Sequence, residues 1–263
     1  MGTGYFRFFA CVTIILLLSA CSPANLVQFA TPPPHNVTLS GTLYKPEGRG
    51  PFPAIVALHG YGGILDYQDE WVQSLKESGF VTLMVDSYCG RGYYCPGQNR
   101  SRILPLMENP MIVSPEMRAA DASAALGYLQ AQPFVDPDRI GVLGWSGGAT
   151  AALIATKDSK VFKAAVGFYP TIPEGQDQQS IPALILAGEH DPNAGQYVRY
   201  MNLVRKNNLP VKVILYPSAY RKFDEPGSAV NSLGMRQEYN REGALDAKKQ
   251  VEAFFSEHLR SRR

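Results

Sequence analysis

A serine inside a glycine-rich turn is the feature that most constrains how this chain can fold. Residues 144–148 read Gly-Trp-Ser-Gly-Gly and join the apolar run 140–143 to the alanine-rich run 149–155. A serine at a sharp strand-to-helix turn is presented at the carboxyl end of a sheet, and small flanking residues let neighbouring backbone approach it. The pattern therefore predicts a nucleophile elbow at Ser146. The alternative is a glycine-rich turn that contains an incidental serine.

Short apolar runs alternate with helical patterns along the rest of the chain. Continuous apolar runs bounded by Gly, Pro or Asp are typical of parallel strands that are covered on both faces. The chain has 263 residues, of which 45% are hydrophobic, and this is enough for one large core. We therefore predict a single α/β domain at residues 38–263, with a mostly parallel central sheet and helices on both faces. Strand-like runs lie at residues 37–44, 54–58, 81–85, 140–143, 164–168, 183–187 and 211–216, and helical patterns at 69–78, 115–130, 147–156, 195–207 and 241–259.

The first 37 residues are predicted to lie outside this domain. Residues 8–18 form an apolar run, preceded by Arg7, that is too short for a permanent membrane span. The sequence Leu-Ser-Ala-Cys at residues 18–21 resembles the lipobox of bacterial lipoprotein signal peptides, in which cleavage precedes the cysteine. This resemblance implies a signal peptide at residues 1–20 and a lipid on Cys21. The prolines at 32–34 predict a stiff, extended Pro-rich tether at residues 21–37. The alternative is an ordinary secretory signal with a cysteine after it.

The lipobox resemblance also implies a location. It places the protein in the bacterial cell envelope, attached to the membrane through the lipid on Cys21, and Ser22 resembles the signal for sorting to the outer membrane, facing the periplasm. Outside the cytoplasm, Cys89 and Cys95 either form a local disulfide or remain two free thiols. The 25 basic and 23 acidic residues form no basic block, so no nucleic-acid partner is expected.

Two further segments follow predicted strands and supply candidate site residues. In an open parallel sheet, ligands bind beyond the carboxyl ends of the strands. Tyr61 lies in the glycine-rich segment 59–63, and its N–H together with that of Gly147 is a candidate oxyanion hole. Asp191 is the candidate acid that would hold an imidazole in its productive tautomer. The alternatives are a tight turn at 59–63 and a helix N-cap at Asp191. No metal or cofactor is expected, because no His, Cys or Asp cluster has ligand spacing.

The order of these segments resembles the dienelactone hydrolase family of the α/β-hydrolase superfamily, over nearly the whole length that follows Cys21. Founding members of the family use a cysteine nucleophile, whereas many relatives have serine at the elbow, as here. The resemblance implies a hydrolase that acts on the carboxylic ester or lactone bond of a small molecule, with Ser146 as nucleophile. The matching segments are 85–88 with 91–92, Arg118 with Asp121, 138–142, the elbow, 188–192 and 254–259.

One position departs from the family pattern. Members carry an aromatic-Pro-x-Ala-x-His-x-Phe-Asp segment after the last strand, and its histidine is the general base. Residues 216–224 read Tyr-Pro-Ser-Ala-Tyr-Arg-Lys-Phe-Asp, so Arg221 occupies the position of that histidine. A guanidinium stays protonated throughout the physiological pH range and cannot accept a proton from Ser146.

The missing base leaves two functions open. Among the four histidines of the chain, His59 is the candidate surrogate base, because it follows a strand at the same end of the sheet. Arg221 is expected to pair with Asp191 as a structural clamp, or else to bind a ligand carboxylate or phosphate. The first function is a serine hydrolase impaired by Arg221. The second is a catalytically inactive hydrolase fold that binds a small ligand or an envelope partner.

Overall fold

The computed structural model describes residues 25–93, 95, 109–157, 161–227 and 235–260. The predicted signal peptide at residues 1–20 and the predicted lipid acceptor Cys21 lie outside the described residues. No helix in these described ranges is both long enough and apolar enough to cross a membrane.

One eight-stranded sheet runs through the described part of the chain, in the order β1-β2-β4-β3-β5-β6-β7-β8. Strands β3 to β8 run parallel to one another, whereas β2 is antiparallel to both β1 and β4. The predicted α/β fold with a mostly parallel sheet is therefore confirmed. The strands are β1 (Asn25–Ala30), β2 (Thr38–Tyr44), β3 (Phe52–Leu58), β4 (Val81–Asp86), β5 (Val135–Trp145), β6 (Ala165–Phe168), β7 (Ala183–Gly188) and β8 (Val211–Tyr216).

Five α-helices cover the sheet in the described ranges: α1 (Asp66–Glu77), α2 (Pro115–Gln130), α3 (Gly147–Lys157), α4 (Ala194–Asn207) and α5 (Arg241–Leu259). Helices α1 and α5 share one face, where Lys248 of α5 lies over the Trp71 ring of α1, and α2 packs against α3. Ser114 caps α2 through a hydrogen bond from the Met117 N–H, and Asn240 caps α5 from the Gly243 N–H. These caps set the helix starts.

The amino-terminal strand corrects the predicted tether. Residues Asn25–Ala30 pair antiparallel with β2, from Asn25 opposite Leu43 to Ala30 opposite Thr38. The tether prediction for residues 21–37 is therefore wrong over this span, because Asn25–Ala30 belong to the sheet of the domain that was predicted to start at residue 38. The prolines at 32–34, which suggested a linker, lie in the connection that reverses the chain between β1 and β2. Phe29 fixes the strand to the domain, because its side chain is buried and its ring contacts that of Tyr128.

The strand directions define two ends of the molecule. The carboxyl ends of β3 to β8 lie together at one end of the sheet, which we call the rim. Their amino ends, together with the carboxyl ends of all five helices, lie at the opposite end, which we call the lower end. Because every strand of this set is parallel, the residues that follow β3, β5, β7 and β8 converge on the rim.

Candidate active site

Ser146 lies at the rim, where β5 turns into α3. Its φ angle is 53°, in the left-handed region that non-glycine residues rarely adopt. The Ser146 N–H donates to the Phe168 carbonyl at 2.9 Å, and its carbonyl accepts from the Thr150 N–H at 3.0 Å, in the first turn of α3. The serine is thus held in the strained strand-to-helix turn that characterises a nucleophile elbow.

Glycines make this turn possible by letting backbone segments touch. A Cβ atom at Gly148 would lie 2.2 Å from the Leu58 carbonyl oxygen, and one at Gly144 would lie 2.3 Å from the Gly148 carbonyl oxygen. Both distances are far inside van der Waals contact, and the opposing atoms belong to backbone. Helix α3 can therefore start against the end of β3 only with glycine at these two positions.

Arg221 bridges Ser146 and Asp191. Its Nη2 donates to the Ser146 Oγ at 2.9 Å, and its Nη1 lies 3.3 Å and 3.2 Å from the two carboxylate oxygens of Asp191. The arginine therefore makes both contacts that a general-base histidine makes in a serine hydrolase. Ser146 Oγ accepts a hydrogen bond from a permanent cation, and that cation cannot take the hydroxyl proton.

Further groups contact both residues of this bridge. Asp191 follows β7 and is 4% exposed, and its Oδ1 also accepts from the Asn193 N–H at 2.7 Å. Burial raises the pKa of the Asp191 carboxyl, and the Arg221 guanidinium and the Asn193 N–H oppose this shift. The Arg221 guanidinium also lies over the Tyr169 ring, 5.3 Å from its centroid. Arg221 is thus held between a carboxylate and an aromatic face.

His59 is not a surrogate base, and this prediction is wrong. Its side chain is fully buried and both ring nitrogens are engaged, Nδ1 with the Gly60 carbonyl at 2.6 Å and Nε2 with the Ser87 N–H at 3.2 Å. Because the Ser87 N–H is a donor, Nε2 is the unprotonated acceptor and Nδ1 carries the hydrogen. Burial, together with the nearby Arg118 charge, lowers the pKa of His59 to about 3. The ring packs under the rim loop and makes no hydrogen bond to Ser146.

The other histidines lie elsewhere. His190 is exposed and its ring contacts Tyr220, His258 contacts Phe254 on α5, and His35 lies in the connection after β1. In the described part of the chain, no histidine hydrogen-bonds to Ser146 or Asp191. The same residues contain no group of three or more His, Cys, Asp or Glu side chains that could hold a metal ion.

The two segments expected to form an oxyanion hole are in contact. A Cβ atom at Gly147 would lie 2.6 Å from the Tyr61 ring, and one at Gly60 would lie 3.6 Å from the Ser146 Cβ. The Tyr88 hydroxyl donates to the Tyr61 carbonyl at 3.3 Å and helps to hold this loop. The loop after β3 therefore lies directly beside the serine and the first residue of α3.

A buried acid beneath the site was not predicted. The Asp224 carboxyl is 3% exposed and accepts from the Trp145 Nε1–H and from the Tyr169 hydroxyl, both at 2.9 Å. Burial raises its pKa to about 7. The acid ties the residue before Ser146 to the tyrosine beneath Arg221. The Phe-Asp pair that ends the family segment was the available signal in the sequence.

The loop after β4 is held by two kinds of bond. Cys89 and Cys95 form a disulfide, with Cα atoms 4.5 Å apart. The Arg91 guanidinium donates two hydrogen bonds to the Asp121 carboxylate on α2, at 2.9 Å and 2.7 Å. Arg118 instead donates to the His59 carbonyl, and its guanidinium lies within 6 Å of the Tyr61 and Tyr88 rings. The arginines matched to the family thus stabilise the rim loops.

Comparison with known proteins places this geometry in a family. The first relative, "Uncharacterized protein PA2218" from Pseudomonas aeruginosa, is 35% identical over 153 residues, which are 57% of this chain and 37% of that protein. The chain thus spans little more than a third of that relative. A "probable 2-oxo-3-(5-oxofuran-2-ylidene)propanoate lactonase" from Bradyrhizobium sp. is 25% identical over 203 residues, 70% of this chain and 78% of that protein.

A solved structure shows the shared fold. It is a dienelactone hydrolase-like promiscuous phosphotriesterase from metagenomic libraries, with a TM-score of 0.72 and 20% identity over 90% of this chain and 99% of the other. The model of the dienelactone hydrolase family matches residues 39–259, which span β2 to the end of α5 and include Ser146, Asp191 and Arg221. The chain therefore belongs to the dienelactone hydrolase family, within the α/β-hydrolase superfamily.

Proposed function

We propose that this protein is a slow serine hydrolase of carboxylic esters or lactones, in which Ser146 attacks without a side-chain base. The carrying observation is the hydrogen bond from Arg221 to Ser146, made while the same guanidinium pairs with Asp191. The strained elbow supports Ser146 as the nucleophile. The Bradyrhizobium relative, which is named as a lactonase, supports lactones within the substrate class.

The proposed reaction proceeds through an acyl-enzyme. Ser146 Oγ bonds to the carbonyl carbon, and the hydroxyl proton passes to hydroxide from solvent, because Arg221 cannot receive it. The carbonyl oxygen gains negative charge, and the Tyr61 and Gly147 N–H groups donate to it. Collapse of this intermediate releases the alcohol, which takes its proton from water. A second water then hydrolyses the ester on Ser146 by the same sequence.

The expected rate depends on the missing histidine and on the parts of the site that remain. Removing the histidine of a serine hydrolase lowers kcat by roughly 10⁶, and binding with an intact oxyanion hole keeps roughly 10³ over the reaction in water. Arg221 partly offsets the loss, because a cation 2.9 Å from Oγ stabilises the negative charge that develops there. Esters with good leaving groups are therefore the expected substrates.

The second candidate function is binding without turnover. The hydrogen bond from Arg221 to Ser146 favours it, because an ester must approach an oxygen that already accepts from a cation. A small ligand or an envelope partner would then occupy the rim without being cleaved. Intact Ser146 and Asp191, both in ordered hydrogen bonds, favour the hydrolase.

We further propose a lipid anchor on Cys21, after cleavage of residues 1–20, and attachment to the bacterial outer membrane on its periplasmic side. The lipobox-like sequence at residues 18–21 supports the anchor. The bond between Cys89 and Cys95 supports an oxidising compartment, since disulfides rarely persist in the cytoplasm.

A fluorophosphonate probe and p-nitrophenyl butyrate test the hydrolase proposal on the chain that follows Cys21. We expect slow labelling and slow turnover in the wild type, and neither in Ser146→Ala. The matched control is Ser123→Ala, which removes a hydroxyl bonded only to the Ala119 carbonyl on α2 and should change nothing. If Ser146→Ala hydrolyses the ester as fast as the wild type, the hydrolase proposal is wrong. If the wild type shows neither activity while Arg221→His gains both, the result favours binding without turnover.

A further inference from the structure

A small cavity lies between α4 and the loop that follows β6. Its volume is about 230 Å³, and Ser146, Asp191 and Arg221 do not line it. Pockets for drug-sized ligands usually have volumes of about 300 to 1,000 Å³, so this cavity fits only a small molecule. The proposed reaction makes no use of it, and its role must be read from its own walls.

One face of α4 forms the first wall of the cavity. Four lining residues are spaced i, i+3, i+4 and i+7, which places them in a row on one side of a helix. They are Gln196, Arg199, Tyr200 and Leu203. A Cβ atom at Gly195 would lie 3.5 Å from the Arg199 Nη1, so the guanidinium extends back towards the amino end of α4. This wall therefore presents a cation at one end and an apolar side chain at the other.

The loop after β6 forms the second wall and is bonded to the first. The Gln196 amide binds the backbone of Ile172 twice, because its Oε1 accepts from the N–H and its Nε2 donates to the carbonyl, both at 3.1 Å. The Tyr200 hydroxyl donates to the Gln176 carbonyl at 3.2 Å. The Gln176 Nε2 in turn donates to the Leu153 carbonyl at 3.2 Å. These bonds hold the two walls together without any ligand.

One polar atom of the second wall lacks a partner. Gln176 lines the cavity and is 2% exposed, and its Oε1 is buried and accepts no hydrogen bond from the described residues. The amide cannot turn round to change this, because its Nε2 already donates to the Leu153 carbonyl. A buried acceptor without a donor costs free energy. A ligand N–H at this wall would supply the missing donor.

Two opposite charges line the same cavity. Arg199 lines it from α4 and Asp177 from the loop, and neither belongs to an ion pair of the described residues. Burial, with a smaller contribution from the Asp177 charge, raises the pKa of the Tyr200 hydroxyl to about 12. The Asp177 carboxylate therefore lies near that hydroxyl, which is bonded to Gln176. The loop wall thus offers acceptors, and the helix wall offers the donors of Arg199.

We infer that this cavity binds a small zwitterion with an apolar side chain, of the class of free α-amino acids such as leucine. The ammonium group donates to the Asp177 carboxylate and to the Gln176 Oε1, and the ligand carboxylate accepts from Arg199. The apolar side chain packs against Ile172 and Leu203. A carboxylate without an amine would leave the Gln176 acceptor without a donor, and an amine without a carboxylate would leave Arg199 unpaired. The inference goes beyond the proposed reaction and does not depend on it.

Titration with L-leucine tests this site on the chain that follows Cys21. We expect a dissociation constant of about 1 mM or less, as suits a ligand of so few atoms. NMR should show NOEs between the methyl groups of leucine and those of Ile172 and Leu203, which lie on the two walls. Isocaproate, which lacks the ammonium group, and isoamylamine, which lacks the carboxylate, should each bind about tenfold more weakly or worse.

Substitutions at the two charges test the recognition. Arg199→Gln and Asp177→Asn should each weaken the binding of leucine about tenfold, because each removes a hydrogen bond between charged groups. The matched control is Arg205→Gln, which removes an arginine of the same helix that does not line the cavity and should leave the affinity unchanged. All three side chains are exposed, so the variants should fold.

Four results would overturn the inference. Equal affinity for leucine and isocaproate, or binding that neither Arg199→Gln nor Asp177→Asn weakens, rules out recognition of a zwitterion. No binding at ten times the expected concentration, or NOEs to other residues only, rules out the site. Ser146→Ala should bind leucine as the wild type does, because Ser146 does not line the cavity. Failure of this site and failure of the proposed reaction are therefore distinguishable.

Discussion

Replacing Arg221 with histidine should convert the slow site into a faster one. The substitution puts a proton acceptor at the position from which the guanidinium now contacts Ser146 Oγ and Asp191. Asp191 already has the position of the group that orients an imidazole. The elbow, the proposed oxyanion donors and the acid all remain, so the substitution supplies the base that the site lacks.

The size of the gain follows from how well the imidazole fits. Complete restoration corresponds to roughly 10⁶ in kcat, and a misplacement of about 1 Å costs roughly 10². Histidine is shorter than arginine, so its ring nitrogens start nearer the backbone of the loop and must be brought towards Ser146. We therefore expect an increase in kcat/KM of about 10² to 10⁴, which corresponds to about 3 to 5 kcal/mol of transition-state stabilisation.

Hydrolysis of p-nitrophenyl butyrate between pH 5 and 9 is the assay. In the wild type, log kcat/KM should rise with pH without a plateau, since hydroxide takes the proton. In Arg221→His, log kcat/KM should rise up to the pKa of the new histidine, about 6.5 to 7, and then level off at higher pH. Arg221→Gln is the control, because it removes the charge and supplies no base.

Two results would refute this reasoning. Equal rates for Arg221→His and Arg221→Gln, with both proteins folded, would show that the histidine is not acting as a base. A wild-type profile that already levels off near neutral pH would show that another group accepts the proton. Asp191→Asn added to Arg221→His should remove most of the gain, since the imidazole loses its orienting acid.

Three further predictions concern stability. The Asp224 carboxyl has a pKa of about 7 in the folded protein against 3.8 in the unfolded chain. The free energy of unfolding should therefore fall by about 4 kcal/mol as pH rises from 4 to 7, and Asp224→Asn should flatten that slope in urea titrations. Gly148→Ala should lower the free energy of unfolding by about 3 kcal/mol or more, because its Cβ would overlap backbone atoms. The control Gly127→Ala, whose Cβ meets open space in α2, should raise the Tm slightly, and equal Tm values for the two variants would contradict the overlap. Cys89→Ser with Cys95→Ser should lower the free energy of unfolding by about 2 kcal/mol, and an unchanged value would show that the short loop is ordered without its disulfide.

The sheet was predictable because its strands differ so clearly from their surroundings. The apolar runs at 54–58, 81–85 and 183–187 are completely buried parallel strands, and burial on both faces leaves an unbroken apolar run in the sequence. The position of Ser146 followed from the same logic, since the glycines on either side of it are demanded by backbone contact. Local sequence thus determined both the strands and the elbow.

The failures have a different physical origin. The tether prediction covers strand β1, because the three prolines after it resemble a linker. An edge strand of six residues also depends on its partner β2 for order. His59 does lie at the rim, as predicted. It is buried there by contacts with Ser87 and Arg118, which are distant in sequence. The Asp224 contacts with Trp145 span 79 residues in the chain. Such long-range contacts leave no local pattern.

The bridge made by Arg221 also changes the net charge of the site. A resting triad of serine, neutral histidine and aspartate carries one negative charge, whereas serine, arginine and aspartate together carry none. For an anionic group about 4 Å from this centre, one unit of charge corresponds to about 4 kcal/mol at an effective dielectric constant of 20. Negatively charged esters and carboxylates, which an ordinary triad repels, can therefore approach Ser146 without that cost. The arginine that we propose slows the chemistry thus widens the range of molecules that can reach the site.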